Sequence, residues 1–254
     1  MDIAGKTIIV TGAASGIGKA MALRFAEDGA KHVICSDING EGARQTAEAC
    51  GGTGFTTDVS KESDIQHLID ITEADIGPID ILCSNAGIGY AGGAETTNDQ
   101  WQSIWDINVM AHVWAARHVI PKMAARGGGY LVNTSSAAGL LSQIGSASYA
   151  VTKHAAVGLA EWLALTHGDD GIKVSVLCPQ AVRTAMTADN PDGVASIDGM
   201  MEPDIVAGCV VDAIREETFL ILPHPEVLKY MRNKTADYDR WIGGMQKLNR
   251  AYRG

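Results

Sequence analysis

The chain has 254 residues and a formal net charge of −10, is 46% hydrophobic and 20% charged, and carries 29 glycines, an ordinary composition for a soluble α/β protein with a full core. No lysine or arginine cluster offsets the acidic balance on any predicted helix, which argues against nucleic acid and against an anionic membrane as partners. No apolar run approaches the ~18 residues of a membrane span, and MDIAGKTIIV reads as neither signal peptide nor anchor.

Short apolar runs predict strands at Lys6–Thr11, His32–Asp37, Thr53–Thr57, Asp80–Ser84, Gly129–Ser135, Ile172–Cys178 and Thr218–Leu222. TIIV, HVIC and VSVL are continuous rather than alternating, as in strands buried on both faces. Helical patterns fall between them, near 17–29, 40–50, 61–76, 99–126, 147–168 and 203–216. This alternation predicts an α/β fold, a Rossmann-like doubly wound, mostly parallel seven-stranded sheet with helices on both faces. No linker or tandem repeat divides the chain, so residues 1–254 read as one domain.

Residues 179–202 carry Pro179, Pro191, Gly193 and Gly199 without periodicity. A connection this long, leaving the carboxyl edge of the sheet after the sixth strand, reads as a substrate lid. Five cysteines without CxxC spacing, three of them in or at the end of predicted strands, read as reduced thiols and point to the cytoplasm. Seven histidines without clustered ligand spacing give no reason to assign a metal.

Gly12, Ser15, Gly16, Ile17 and Gly18 form a glycine-rich turn between the first strand and the first helix. Such a turn permits close backbone approach to a pyrophosphate, which the free N–H groups of the helix N-terminus then bind. The spacing is GxxxGxG, not GxGxxG. Asp37 ends the second strand, 19 residues after Gly18, where an acid binds the ribose 2′-OH of NAD and repels the 2′-phosphate of NADP. It could also serve as a turn aspartate before Ile-Asn-Gly. Its neighbours Ser15 and Ile38 offer no positive charge, so the expected cofactor is NAD.

Ser136, Tyr149 and Lys153 are thirteen and four residues apart. Tyr149 and Lys153 share a helix face. A nearby ammonium favours phenolate and brings a tyrosine toward use as a base. A second Tyr-x-x-x-Lys, Tyr230 and Lys234, has Glu217 in the serine's relative place and reads as surface helix.

From Gly5 to about Phe219 the chain resembles the short-chain dehydrogenases/reductases. Gly12, Gly16, Ile17 and Gly18 match that family's TGxxxGIG turn; Asp58-Val59 match its adenine contact and Asn85-Ala86-Gly87 its Asn-Ala-Gly. Pro179, Val182 and Thr184 match a Pro-Gly-x-Val-x-Thr stretch near the nicotinamide carboxamide, with Gln180 replacing the glycine. The resemblance implies an NAD-dependent alcohol dehydrogenase or ketoreductase interconverting a secondary alcohol and a ketone. It makes Tyr149 the acid/base and Lys153 the residue that lowers its pKa and holds the nicotinamide ribose. Ser136 would bind the substrate oxygen, and Asn108 would be a fourth member binding a relay water.

Two other readings stay open at this level: an NADPH-type carbonyl reductase of lipid or polyketide metabolism, and a catalytically silent nucleotide sensor. Substrate walls are expected from Ile88–Ala94, Ala137–Ser146 and Ala181–Met201. Leu140, Leu141, Ile144, Met186, Met200 and Met201 supply apolar surface there, and Gln143 a polar contact. The tail from 223 departs from the family's Gly-Gly close. Its Tyr230, Tyr238, Trp241, Met245 and Leu248 are expected to cover the substrate mouth or join a subunit contact. The family pairs through helices that here hold Trp101–Arg126 and Tyr149–Thr166, so a homo-oligomer, dimer or tetramer, is expected.

Overall fold

The strand runs become a single seven-stranded sheet in a computed structural model that describes residues 1–188 and 193–253. The strands are β1 (Thr7–Thr11), β2 (His32–Asp37), β3 (Thr53–Thr56), β4 (Ile81–Ser84), β5 (Gly129–Thr134), β6 (Ile172–Leu177) and β7 (Leu220–Ile221). Their order is β3-β2-β1-β4-β5-β6-β7, and every pairing is parallel. The predicted final strand shrinks to two residues, which pair with β6 at the edge of the sheet.

Successive side chains of a strand leave on opposite faces, so one apolar run feeds two cores. Ile8 and Val10 belong to one cluster with Met21 and Phe25 of α1 (Gly16–Glu27), Ala47 of α2 (Gly40–Ala49), and Val206 and Val210 of α7 (Pro203–Glu216). Ile9 faces the other way, with Leu68 of α3 (Glu62–Ile71), Val119 of α5 (Ala111–Ala124) and Leu163 of α6 (Ala147–His167). Each such fully buried large side chain contributes about 1.5–3 kcal/mol.

Three differences from the predicted elements bear on function. The stretch 61–76 is α3 followed by a π-helical turn, Thr72–Ile76. The stretch 99–126 is α4 (Asn98–Trp105), a π-helical turn at Asp106–Met110, and then α5. The tail is two helices, α8 (Glu226–Ala236) and α9 (Tyr238–Arg253). Among the described residues, no helix is long and apolar enough to cross a membrane.

The strand order reverses between β1, which continues to β2, and β4, which continues to β5. An open parallel sheet binds its ligand at that crevice, outside the carboxyl ends of the strands.

Candidate active site

A cleft of about 720 Å³ lies at that reversal, with Gly12, Ser15 and Asp37 at one end and Ser136, Tyr149 and Gln143 at the other. The turn after β1 is kept open for a ligand by its own sequence. A Cβ on Gly18 would collide with the main-chain carbonyl of Gly12, so only glycine lets α1 start this close. Ser15 stands at the N-cap, yet its side chain makes no capping hydrogen bond, and the first turn holds no acid. The N–H groups that a serine ordinarily satisfies are left for an anion.

Asp37 stands over this turn from the end of β2. Its Oδ2 accepts from the Ala14 N–H at 3.0 Å and its Oδ1 from the Asn39 N–H at 2.9 Å. The carboxylate is thus fixed by the turns it caps and borders the cleft. Asp58 and Val59 line the same end of the cleft. Asp58 Oδ1 is engaged by the Ser60 N–H and hydroxyl.

Asn85, Ala86 and Gly87 carry the chain from β4 across the crevice. Asn85 Nδ2 donates to Thr11 O at 3.0 Å and its Oδ1 accepts from Thr134 Oγ1 at 3.1 Å, tying β1 to β5. A Cβ on Gly87 would come within 3.3 Å of both Asn108 Oδ1 and Lys153 Nζ. Glycine there keeps the cleft floor clear.

Ser136 follows β5, and Tyr149 and Lys153 rise from α6. Ser136 Oγ accepts from the Ala138 N–H at 3.1 Å and donates to Pro179 O at 3.3 Å, so the hydroxyl is oriented from both sides. Tyr149 is densely surrounded but keeps part of its surface open to the cleft. Lys153 is buried; its Nζ donates to Thr134 O at 3.0 Å and lies 5.5 Å from the centroid of the Tyr149 ring.

Burial dominates the electrostatics of this pair. Burial pushes the Tyr149 phenol up, with the Ser136 hydrogen bond pulling the other way. Burial also pushes Lys153 down to about 8. The ammonium lies over the ring and donates to the Thr134 carbonyl.

Asn108 sits in the second π-helical turn and is fully buried. Its Oδ1 accepts from the Ile88 N–H and its Nδ2 donates to Ile88 O, both at 2.9 Å, with Thr152 Oγ1 at 3.3 Å. The side chain thus pins the exit from β4. A turn of this type widens the helix ladder and recurs at functional sites. His112, one turn later, escaped the sequence reading. Burial and the charge of Lys153 push its pKa to about 3, so it stays neutral.

Pro179, Val182 and Thr184 line the cleft after β6. The segment turns back on itself, with Met201 N–H to Ala181 O at 3.0 Å and Arg183 N–H to Met201 O at 2.9 Å. Residues 189–192 of the expected lid, Pro191 included, lie outside the described residues. Gln143, Ile144 and Met186 line the cleft, whereas Leu140 packs on one core and Met201 on the other. Tyr90, Val194, Asn249 and Tyr252 line it too. No local signal marked the last two, which arrive from the end of α9.

The pair Tyr230 and Lys234 contradicts its reading as surface helix. Lys234 is 8% exposed, and its Nζ donates to Leu140 O at 2.7 Å and Leu141 O at 3.1 Å. Tyr230 Oη donates to Asp198 Oδ1 at 2.9 Å. The local pattern of α8 could not show partners so distant in sequence.

Comparison with known proteins agrees with this geometry. The family model described as short chain dehydrogenase matches residues 6–195. A 1-deoxy-11-beta-hydroxypentalenate dehydrogenase of Streptomyces exfoliatus is 32% identical over 95% of this chain and 91% of its own. A 2,5-dichloro-2,5-cyclohexadiene-1,4-diol dehydrogenase of Sphingobium indicum is 38% identical over 78% and 80%. A crystal structure of a short chain dehydrogenase/reductase from Burkholderia phymatum in complex with NAD superposes with a TM-score of 0.86 at 29% identity, covering 94% of this chain and 96% of that one. The chain belongs to the short chain dehydrogenase family, and it is an oxidoreductase that uses a nicotinamide cofactor on alcohol and ketone groups.

Proposed function

We propose that the protein is an NAD-preferring dehydrogenase that interconverts an uncharged, moderately bulky secondary alcohol and its ketone. The observation that carries this reading is the cleft itself, with Ser136, Tyr149 and Lys153 gathered at one end and the Asp37 carboxylate fixed at the other. The residues present fit a nicotinamide dinucleotide. Gly12, Ser15, Gly16, Ile17 and Gly18 would hold the pyrophosphate, Asp37 the adenosine ribose, and Asp58 and Val59 the adenine. Asn85, Ala86 and Gly87 would border the cofactor, with Pro179, Val182 and Thr184 beside the carboxamide. When bound, the nicotinamide supplies or accepts the hydride.

The chain's own residues would manage the proton. The alcohol oxygen sits between Ser136 Oγ and Tyr149 Oη, and Tyr149 accepts its proton as the carbonyl forms. The Ser136 hydroxyl, turned from Pro179 O to that oxygen, would stabilise the charge that develops there. Lys153 would hold the nicotinamide ribose hydroxyls. Because the Asn108 side chain is committed to Ile88, a relay water would be held by the main chain of the π-helical turn. Reduction of a ketone runs the same steps backward.

Gln143 and Met186 would touch the substrate, alongside apolar Ile144 and Val194. The pentalenate and cyclohexadiene-diol dehydrogenases are named for hydroxyl groups on compact ring systems, which supports an alicyclic secondary alcohol as substrate. We read the chain as one domain in which residues 179–202 act as a lid and residues 223–254 as a cover. Exposed Trp105, Val151, Trp162 and Leu165 on α4 and α6 support pairing with a second copy through those helices. Five free thiols support a reducing, cytoplasmic setting.

The test is initial-rate reduction of NAD and NADP by purified protein against a panel of acyclic and alicyclic secondary alcohols. NAD turnover well above NADP turnover is the expected result. Tight NADH binding with no turnover on any alcohol or ketone would sink the reading.

A further inference from the structure

The two places where the sequence leaves the family pattern, Gln180 and the tail, meet in the structure. Gln180 Nε2 donates to Asp198 Oδ2 at 3.0 Å, and Tyr230 Oη donates to the other oxygen of the same carboxylate. The Gln180 N–H donates to His224 Nδ1 at 3.2 Å, just before α8 begins. The residue that replaces the glycine is thus held, main chain and side chain, through partners that lead to the tail.

Lys234, one helical turn beyond Tyr230, reaches the loop after β5 instead. Leu140 and Leu141 follow the short helical turn Ala137–Gly139, at whose start stands Ser136. Two N–H groups of the ammonium go to their carbonyls, and its charge lies 5.1 Å from the Trp241 ring centroid and 5.7 Å from that of Tyr238. Charge-assisted bonds and aromatic faces in a buried place make this a firm anchor.

The far end of the same loop is anchored too. Ser146 Oγ donates to Tyr90 O, and the Gly92 N–H donates to Gly145 O at 2.9 Å. Between the anchors lie Gln143 and Ile144, which face the cleft. Asp198, held by Tyr230, likewise follows Val194, Ala195 and Ser196, which line the cleft from the opposite segment.

We propose that α8 is a brace for the substrate end of the cleft, with Lys234 positioning the loop after β5 and Tyr230 positioning the segment after β6. The inference rests on the reading of the Ser136–Tyr149 cleft as the reaction site. Lys234 and Tyr230 touch neither substrate nor cofactor. They are positioning residues, and they fix where Gln143, Ile144 and Val194 stand when an alcohol enters.

The test uses the full chain with saturating NAD and 2-octanol as the probe alcohol, or cyclohexanol where 2-octanol is not oxidised, comparing Lys234→Met, Lys234→Arg and Tyr230→Phe with the wild type. Losing the charge-assisted bonds of Lys234 is expected to raise the KM for the probe alcohol roughly tenfold, with kcat and the NADH Kd each within about threefold. Lys234→Arg, which still donates to two carbonyls, recovers most of that loss. Amide hydrogen exchange quickens over 140–146 in Lys234→Met and over 194–201 in Tyr230→Phe, each leaving the other segment unchanged. Unchanged exchange at both segments overturns the brace, and so does faster exchange with an unchanged KM. A parallel collapse of NADH affinity and thermal stability overturns it as well, because α8 would then serve the fold as a whole. If Lys234→Met does not fold, Tyr230→Phe decides by the same measurements. If the wild type turns over neither 2-octanol nor cyclohexanol, the proposed function loses support and the exchange pattern alone judges the brace.

Discussion

Asp37 makes a quantitative claim about cofactor choice. Its carboxylate is locked by the Ala14 and Asn39 N–H groups, and each oxygen retains a lone pair for a ribose hydroxyl. A 2′-phosphate in that place would meet a like charge. At ~4 Å and an effective dielectric of ~20 the repulsion is ~4 kcal/mol per unit charge, and because Asp37 is part open to solvent about half of that, ~2 kcal/mol or about thirtyfold, is the working figure. A charge-assisted bond to the NAD ribose contributes ~1.5 kcal/mol, about tenfold. Asp37→Asn and Asp37→Ser are therefore expected to weaken NADH binding about tenfold and strengthen NADPH binding about thirtyfold, moving the preference ~300-fold. Fluorescence titration of both nucleotides against the three proteins measures this directly. A preference that moves less than about threefold in both variants would refute the reasoning, since a charge of this placement cannot be that weak.

Three further outcomes are expected. Gly18→Ala puts a methyl group against the Gly12 carbonyl, so NADH affinity should fall by about tenfold or more while far-UV circular dichroism is unchanged; an unaltered titration would contradict the tight turn. Lys153, at about 8 in the folded chain against 10.5 as its ordinary value, holds fewer protons folded than unfolded between those pH values, so cofactor-free stability should rise as pH climbs from 8 to 10.5. Below that window the buried charge costs stability, and Lys153→Met should stabilise the cofactor-free protein by about 2 kcal/mol at pH 7 after loss of the bond to Thr134; urea curves for the two proteins that run parallel with pH would contradict it. Trp162→Glu combined with Leu165→Glu, at positions 56% and 85% exposed, should shift a wild-type oligomer toward monomer in sedimentation, and a wild type that is already monomeric when dilute removes the pairing proposal.

The parts of the fold that were legible in the sequence are those where one local pattern suffices. TIIV and HVIC read as doubly buried strands because burial on both faces removes alternation, and β1 and β2 are such strands. The turn from Gly12 to Gly18 was legible because main-chain approach demands glycine at fixed offsets. The π-helical turn around Asn108 was not, because one extra residue in a helix barely disturbs a 3.6-residue period. The spacing of Tyr149 and Lys153 correctly placed both on one face, but it could not say that the ammonium would lie over the ring and bond Thr134 O. Lys234 was misread for a similar reason. A lysine is a surface residue unless something distant satisfies it, and its carbonyl partners lie 94 and 93 residues away.

The central claim is that Tyr149 carries the proton in a cleft that otherwise binds cofactor without it. Tyr149→Phe removes one oxygen atom, which no hydrogen bond to another part of the fold requires among the described residues apart from that with Ser136. Turnover of NAD with the best secondary alcohol should fall by at least ~10² in this variant, while the NADH Kd stays within about threefold of wild type. Near wild-type turnover in Tyr149→Phe would contradict the assignment outright.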